Sequence, residues 1–117
     1  MLDKYVWGEV NRISQEAPIP VLKVTSEEIR PGGAGSVANN LAKLGANVCC
    51  YGVIGQDDEG KRLLDNLNGI GVETDGIIEA SDRPTTVKVR MMGHLQSAGK
   101  GIQQLLRIDY EKVDDIE

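Results

Sequence analysis

An α/β fold is predicted for this chain of 117 residues by two features of its hydrophobic pattern. The apolar spacing switches repeatedly between an extended and a helical period, and Val48 to Ile54 is a nearly continuous apolar run directly after a helical stretch. A run of that kind suits a strand covered on both faces, as in a parallel sheet flanked by helices.

Taken in order, Tyr5 to Ile13 and Pro20 to Ile29 read as extended, the second with Val21, Lys23 and Thr25 on one face and Leu22 and Val24 on the other. Pro18 and Pro20 mark a turn or an edge between them. From Gly35 to Leu44 the residues Val37, Leu41 and Leu44 recur at helical spacing, Ala38 and Ala42 allow close packing on a sheet, and Gly45 stops the helix. Asp57 and Asp58 open a second helix with acids that complement its dipole, Leu63, Leu64 and Leu67 supply its buried stripe, and Gly69 and Gly71 close it. Val72 to Glu79 forms a short strand, so Val48 to Glu79 is a β-α-β unit with an expected right-handed crossover. After a turn at 81–84 the period becomes two. Val87, Val89 and Met91 alternate with Lys88 and Arg90, giving one apolar and one basic face.

Composition sets the limits of function. With 40% hydrophobic residues the chain makes one domain at most, and with 3% aromatics and no Phe its core is aliphatic. A net charge of −5 argues against a nucleic-acid surface, which needs clustered Lys and Arg. No apolar run is long enough to span a membrane, and the N-terminus lacks a basic region followed by an apolar one, so a cytoplasmic location is expected. Cys49 and Cys50, adjacent on a strand, point to opposite faces and have no partner at zinc spacing; buried packing is their expected role and no metal site is expected.

The chemistry concentrates in Arg30 to Gly55. Gly32, Gly33 and Gly35 carry no Cβ, so the backbone there is able to turn sharply and touch a bound molecule. The helix that follows presents unpaired N–H groups and partial positive charge, which favour an oxygen-rich or anionic ligand. A glycine pair before a helix serves equally well as a tight turn with no ligand, and the residues alone leave both readings open.

The segment resembles the first signature of the ribokinase-like (PfkB) carbohydrate kinases, with Gly32, Gly33, Ala34, Ala38, Gly45 and Gly55 at the family's positions. It departs at Ser36, where the family usually has an asparagine that touches the sugar; serine keeps a donor and an acceptor on a shorter arm. Met1 to Gly8, Val10 to Ser14, Ala17 to Val21, Arg83 to Arg90 and Gln103 to Asp109 look like the corresponding parts of the D-glycero-β-D-manno-heptose-7-phosphate kinases, in which the kinase is often fused to an adenylyltransferase domain.

The resemblance implies a ribokinase-like fold of which this chain is the N-terminal part, with lid strands at about 4–30 and 84–110 and an α/β core at about 31–80. It implies ATP and Mg²⁺ as cofactors and a sugar phosphate as substrate, in the ADP-heptose branch of lipopolysaccharide precursor synthesis. Asp3, Gly32, Gly33, Ser36 and Asn40 would bind the sugar, and Lys88 and Arg90 its phosphate, the guanidinium by a bidentate grip. The bland alternatives are an exposed N-terminal acid for Asp3, a solvated strand face for Lys88 and Arg90, and plain exposure for Asn39 and Asn40. The lid strands would pair two subunits. The family's catalytic Gly-Ala-Gly-Asp motif is not among these residues, so no catalytic base is assigned and the chain alone is expected to be inactive. The competing possibilities are a non-catalytic sugar-binding or dimerisation remnant, or a kinase for another sugar.

Two other segments approach known motifs without matching them. Gly93 to Gly101 has the wrong glycine spacing for a P-loop and lacks a Ser or Thr after Lys100, so a hairpin loop is expected, and His94 within it has no nucleophile or acid arranged beside it. Gly55-Gln56-Asp57-Asp58 comes too early in the chain to be the catalytic motif and is expected to be a turn and cap.

Overall fold

The computed structural model describes residues 1–95 and 101–116. The expected hairpin loop at Gly93 to Gly101 therefore lies largely outside the described residues. The elements run β1 (Leu2–Ile13), β2 (Pro20–Pro31), α1 (Ala34–Lys43), β3 (Cys49–Gly55), α2 (Asp58–Gly69), β4 (Glu73–Ala80), β5 (Val87–Leu95) and β6 (Ile102–Tyr110). They divide into two units. The first comprises Met1–Asp3, Ile29–Lys88 and Asp109–Glu117, and the second Lys4–Glu28 and Val89–Ile108.

In the first unit β3 and β4 pair in parallel, from Cys49 opposite Glu73 to Gly55 opposite Ala80, with an irregularity between Cys49 and Tyr51. The β-α-β expectation holds. Both helices end in the same way. Behind α1, Gly45 at φ 88° donates to Ala42 O and Ala46 N to Leu41 O, and behind α2, Gly71 at φ 83° donates to Asn68 O and Val72 N to Leu67 O. Each is a Schellman closure that requires the left-handed conformation glycine adopts freely. Gly69 is simply the last helical residue. Asp57 caps α2, its side chain accepting from Gly60 N at 2.8 Å.

Leu2, Ala38, Ile54, Leu63, Leu67, Val72 and Val87 form the buried core of this unit. Three expectations fail here. The apolar stripe of α1 is not buried: Val37 is 58%, Leu41 43% and Leu44 83% exposed, while Ala38 is 3% exposed. The helix packs, as expected of Ala38 and Ala42, through its small residues Gly35, Ala38 and Ala42, which let backbones approach, and at 100° per residue the large apolar side chains lie a quarter-turn or more away. Nor is β3 covered on both faces, since Tyr51 on it and Ile78 on β4 are largely exposed. The two helices, which touch each other and β3, do not cover a two-stranded ribbon on both sides. For the same reason the cysteines are not buried packing residues: Cys49 is exposed and Cys50 half-buried, both as free thiols. The Cys49 thiol donates to Glu73 Oε2 at 2.9 Å, and that bond pushes its pKa up.

The second unit forms the body of a four-stranded sheet in the order β2-β1-β5-β6. Val6 and Val89 are its buried apolar side chains. Gly8 stands where β2 crosses closest, since a Cβ there would lie 2.5 Å from Lys23 O. β5 keeps its period of two, with Val87 and Val89 buried and Lys88 and Arg90 half-buried between them.

Candidate functional site

The start of α1 gathers three of the residues expected to bind sugar. Gly33 is the N-cap, at φ 55° and with no side chain to cap the helix. That conformation is costly for any residue with a Cβ. Gly32 is buried, and its N–H donates to Met1 O at 2.9 Å. The Asp3 carboxylate lies directly over Gly32: a Cβ there would be 2.6 Å from Asp3 Cγ and Oδ2. Leu2 N donates to Thr86 O at 2.9 Å, which ties the residue before Asp3 to the entry of β5.

The two helix starts differ electrically. α2 has Asp57 as cap and Asp58 and Glu59 in its first turn, whereas α1 has no acid in its first turn. The positive end of the α2 dipole is thus neutralised by its own side chains, whereas at α1 the amides of Gly35 and Ser36 donate to Gly32 O and Gly33 O at 3.0 Å. Further along α1, Ser36 and Asn40 are one turn apart and exposed, on the side opposite Ala38. They share a face with each other and not with the packed side of the helix.

Lys88 and Arg90 alternate on β5 but have different surroundings. In the first unit, Lys88 Nζ is 2.8 Å from Asp109 Oδ2 and 3.4 Å from Glu111 Oε2. The bond to Asp109 raises its pKa, with Glu111 adding to the effect against burial. In the second unit, the Arg90 guanidinium carbon lies 5.5 Å from the centroid of the Tyr5 ring, and Tyr5 in turn stacks on Trp7 with centroids 6.0 Å apart and planes at 16°. Sequence reasoning passed over Tyr5 and Trp7. The signal was there: on a strand, Asp3, Tyr5 and Trp7 fall on one face.

A second group of residues, in which Asp57 is the expected cap and Thr85 had no role assigned from sequence, lies between β3, α2 and the entry to β5. Thr85 is 2% exposed. Its hydroxyl donates to Asp57 Oδ1 at 2.7 Å and accepts from Gly55 N at 2.9 Å, and its N–H donates to Asp57 Oδ2 at 2.8 Å. Burial pushes the Asp57 carboxyl up, but the bonds from the Thr85 hydroxyl, Thr85 N–H and Gly60 N–H outweigh it and hold the group below the usual carboxylate range. Behind α1, an apolar cavity of about 80 Å³ is lined by Ala34, Gly35, Cys50, Ile54, Leu63 and Ile77 among others. Its lining offers a polyol few polar partners, so it is a packing space and not a sugar site.

A Gly-Gly helix entry on a parallel β-α-β unit, accompanied by a separate four-stranded sheet, places the chain in the ribokinase-like class of small-molecule kinases. The structure of an Arabidopsis thaliana ribokinase complexed with ribose and ATP matches with a TM-score of 0.62 and 27% identity over 89% of this chain and 32% of that one. Phosphofructokinase-2 from Escherichia coli shares the fold, with a TM-score of 0.65 and 23% identity over 90% of this chain and 31% of that one. This chain belongs to the pfkB family of carbohydrate kinases, whose profile matches residues 4–96. It is 47% identical to the bifunctional protein HldE of Geobacter sulfurreducens over 99% of its own length and 22% of that protein. It is 46% identical to a D-beta-D-heptose 7-phosphate kinase of Bordetella bronchiseptica over 96% of its length and 33% of that protein. The chain thus spans a fifth to a third of the curated relatives it matches.

Proposed function

We propose that this chain supplies the sugar-binding side of a carbohydrate kinase that transfers a phosphoryl group from ATP to the anomeric hydroxyl of D-glycero-D-manno-heptose 7-phosphate, in the cytoplasm. The observation that carries the reading is the Asp3 carboxylate resting on Gly32 at the one helix start that has no acid of its own. A carboxylate accepts several hydroxyl protons in a small space, and the helix dipole favours the sugar's oxygens. The naming of two relatives as HldE and heptose 7-phosphate kinase supports the choice of sugar.

Asp3, Gly32 and Gly33 form the first contact set. Ser36 and Asn40 add polar groups farther along α1. Lys88 and Arg90 are the proposed phosphate ligands, and a phosphate reaching Lys88 competes with Asp109 and Glu111 for the same ammonium. The family's chemistry implies ATP with Mg²⁺, which would supply the phosphoryl group and neutralise its charge. Among the described residues no three His, Cys, Asp or Glu side chains converge as a metal site. In such kinases Mg²⁺ is held by one or two carboxylates together with the substrate phosphates, and none of the described residues is assigned to it. Pairing of two subunits through the sheet is supported by Ile102 and Leu106, each 57% exposed on the edge strand β6. No helix of the described residues is long and apolar enough to cross a membrane.

Calorimetric titration of the chain with heptose 7-phosphate tests the reading. Saturable binding that Asp3→Ala weakens by at least about tenfold, the scale of a hydrogen bond to a charged group, is expected. Absence of binding to the folded wild-type chain refutes it.

A further inference from the structure

We infer that Asp57 and Thr85 are a positioning pair for the Asp3 carboxylate, and so tune sugar affinity without touching the sugar; the link to affinity rests on the sugar-kinase reading above. A continuous set of short contacts runs through the first unit. The Asp57 carboxylate takes three donors: Gly60 N and the Thr85 hydroxyl on Oδ1, and Thr85 N on Oδ2, all at 2.7–2.8 Å. The Thr85 hydroxyl is also the acceptor for Gly55 N at 2.9 Å. One threonine thus joins the end of β3, the cap of α2 and the entry of β5.

This joint has no slack. A Cβ on Gly55 would lie 2.6 Å from Arg83 O, Asp57 Oδ2 and Thr85 N, and one on Gly60 would lie 2.6 Å from Gly55 O and 2.8 Å from Thr85 Oγ1. Closely packed groups transmit displacement because there is no void to absorb it. The next residue, Thr86, accepts from Leu2 N at 2.9 Å, and Met1 O accepts from Gly32 N at 2.9 Å. Leu2 is fully buried. Asp3 therefore follows a residue held from two sides, one hydrogen bond away from the Asp57–Thr85 pair, with its carboxylate pressed on Gly32. Asp57 and Thr85 are 28 residues apart in sequence, so no local preference of the chain explains their pairing. A cap alone needs only the bond to Gly60 N; the two bonds to Thr85 are additional to what the helix requires.

The test uses Thr85→Val, which keeps the shape and removes the hydroxyl, Thr85→Ser, which restores it, and Asp57→Asn. The last retains a good N-cap acceptor while turning the bond from Thr85 N into a donor–donor contact, and it serves if Thr85→Val does not fold. Folded fraction is measured by circular dichroism, heptose 7-phosphate affinity by calorimetry, and the Asp3 side-chain carboxyl and Gly32 amide resonances by NMR. Thr85→Val and Asp57→Asn are expected to shift both resonances and weaken affinity by about tenfold in the folded protein, the scale of one misaligned hydrogen bond to a charged group, with Thr85→Ser within about twofold of wild type. A merely structural role would lower stability and leave the folded protein's resonances and affinity at wild-type values, and that outcome overturns the inference. If the wild-type chain binds no heptose 7-phosphate, the sugar reading fails by itself. The pair is then judged on the resonances: unchanged Asp3 and Gly32 signals refute it, and shifted ones sustain the positioning.

Discussion

Gly32→Ala is the most direct probe of the proposed sugar site. Gly32 has no positive φ, so alanine causes no backbone strain, and the whole effect falls on the side chain above it. The new Cβ would stand 2.6 Å from Asp3 Cγ and Oδ2 and 2.8 Å from Oδ1, whereas ordinary contact begins near 3.4 Å. The carboxylate must therefore retreat by most of an ångström. Overpacking of this kind costs roughly 1–3 kcal/mol of stability, and a shift of that size in a charged acceptor forfeits roughly 1.5–3 kcal/mol per hydrogen bond, or about ten- to a hundredfold in sugar affinity. Thermal unfolding followed by circular dichroism reads the first quantity and calorimetric titration with heptose 7-phosphate the second. An alanine variant with wild-type melting temperature would refute the close approach of Asp3 and Gly32. A destabilised variant with wild-type affinity would refute the role of Asp3 in binding.

Arg90→Ala is expected to weaken binding of heptose 7-phosphate by about tenfold or more while leaving binding of the unphosphorylated heptose unchanged, since charge-assisted bonds of a guanidinium to phosphate are lost and the sugar contacts are not; equal losses for both sugars would exclude a phosphate role. Leu44→Lys, at a residue 83% exposed, is expected to change stability by less than about 0.5 kcal/mol in urea unfolding. Because the folded-state pKa of Asp57 lies below its ordinary value of 3.8, its contribution to stability is present above that value and is lost as the pH falls through the folded pKa. Asp57→Asn should accordingly be less stable at neutral pH and flatten the acid limb of the stability curve below about pH 4, as measured by urea unfolding between pH 2 and 7; an unchanged acid limb would contradict the lowered pKa.

The parts of this fold that were legible in the sequence are those set by neighbours along the chain. Gly45 and Gly71 announce the ends of α1 and α2 because a Schellman closure is a local event. The period of two in β5 was enough to place Val87 and Val89 inside. What escaped depends on distant residues. The apolar stripe of α1 said that a greasy face exists and not which face is packed, and the small residues Gly35, Ala38 and Ala42 decided that. Lys88 finds Asp109 and Glu111 21 and 23 residues later, and Thr85 finds Asp57 28 residues earlier, across connections that no periodicity encodes. The glycine pair and Asp3 were found only through the family's pattern. From residues alone, a tight turn explained Gly32 and Gly33 equally well.

The bare N-cap of α1 has a consequence for anyone seeking to harden this protein against heat. At most helix starts, replacing glycine with serine, aspartate or asparagine yields a few tenths of a kcal/mol. At Gly33 the φ of 55° combined with a ψ of −124° lies outside the left-handed helical region that asparagine and aspartate tolerate, so every such replacement is penalised. A capping side chain there would also compete with the bonds that Gly35 N and Ser36 N already make to Gly32 O and Gly33 O, each at 3.0 Å. A library scored by melting temperature would therefore retain glycine at this position, and with it the bare helix start that the proposed sugar contact uses.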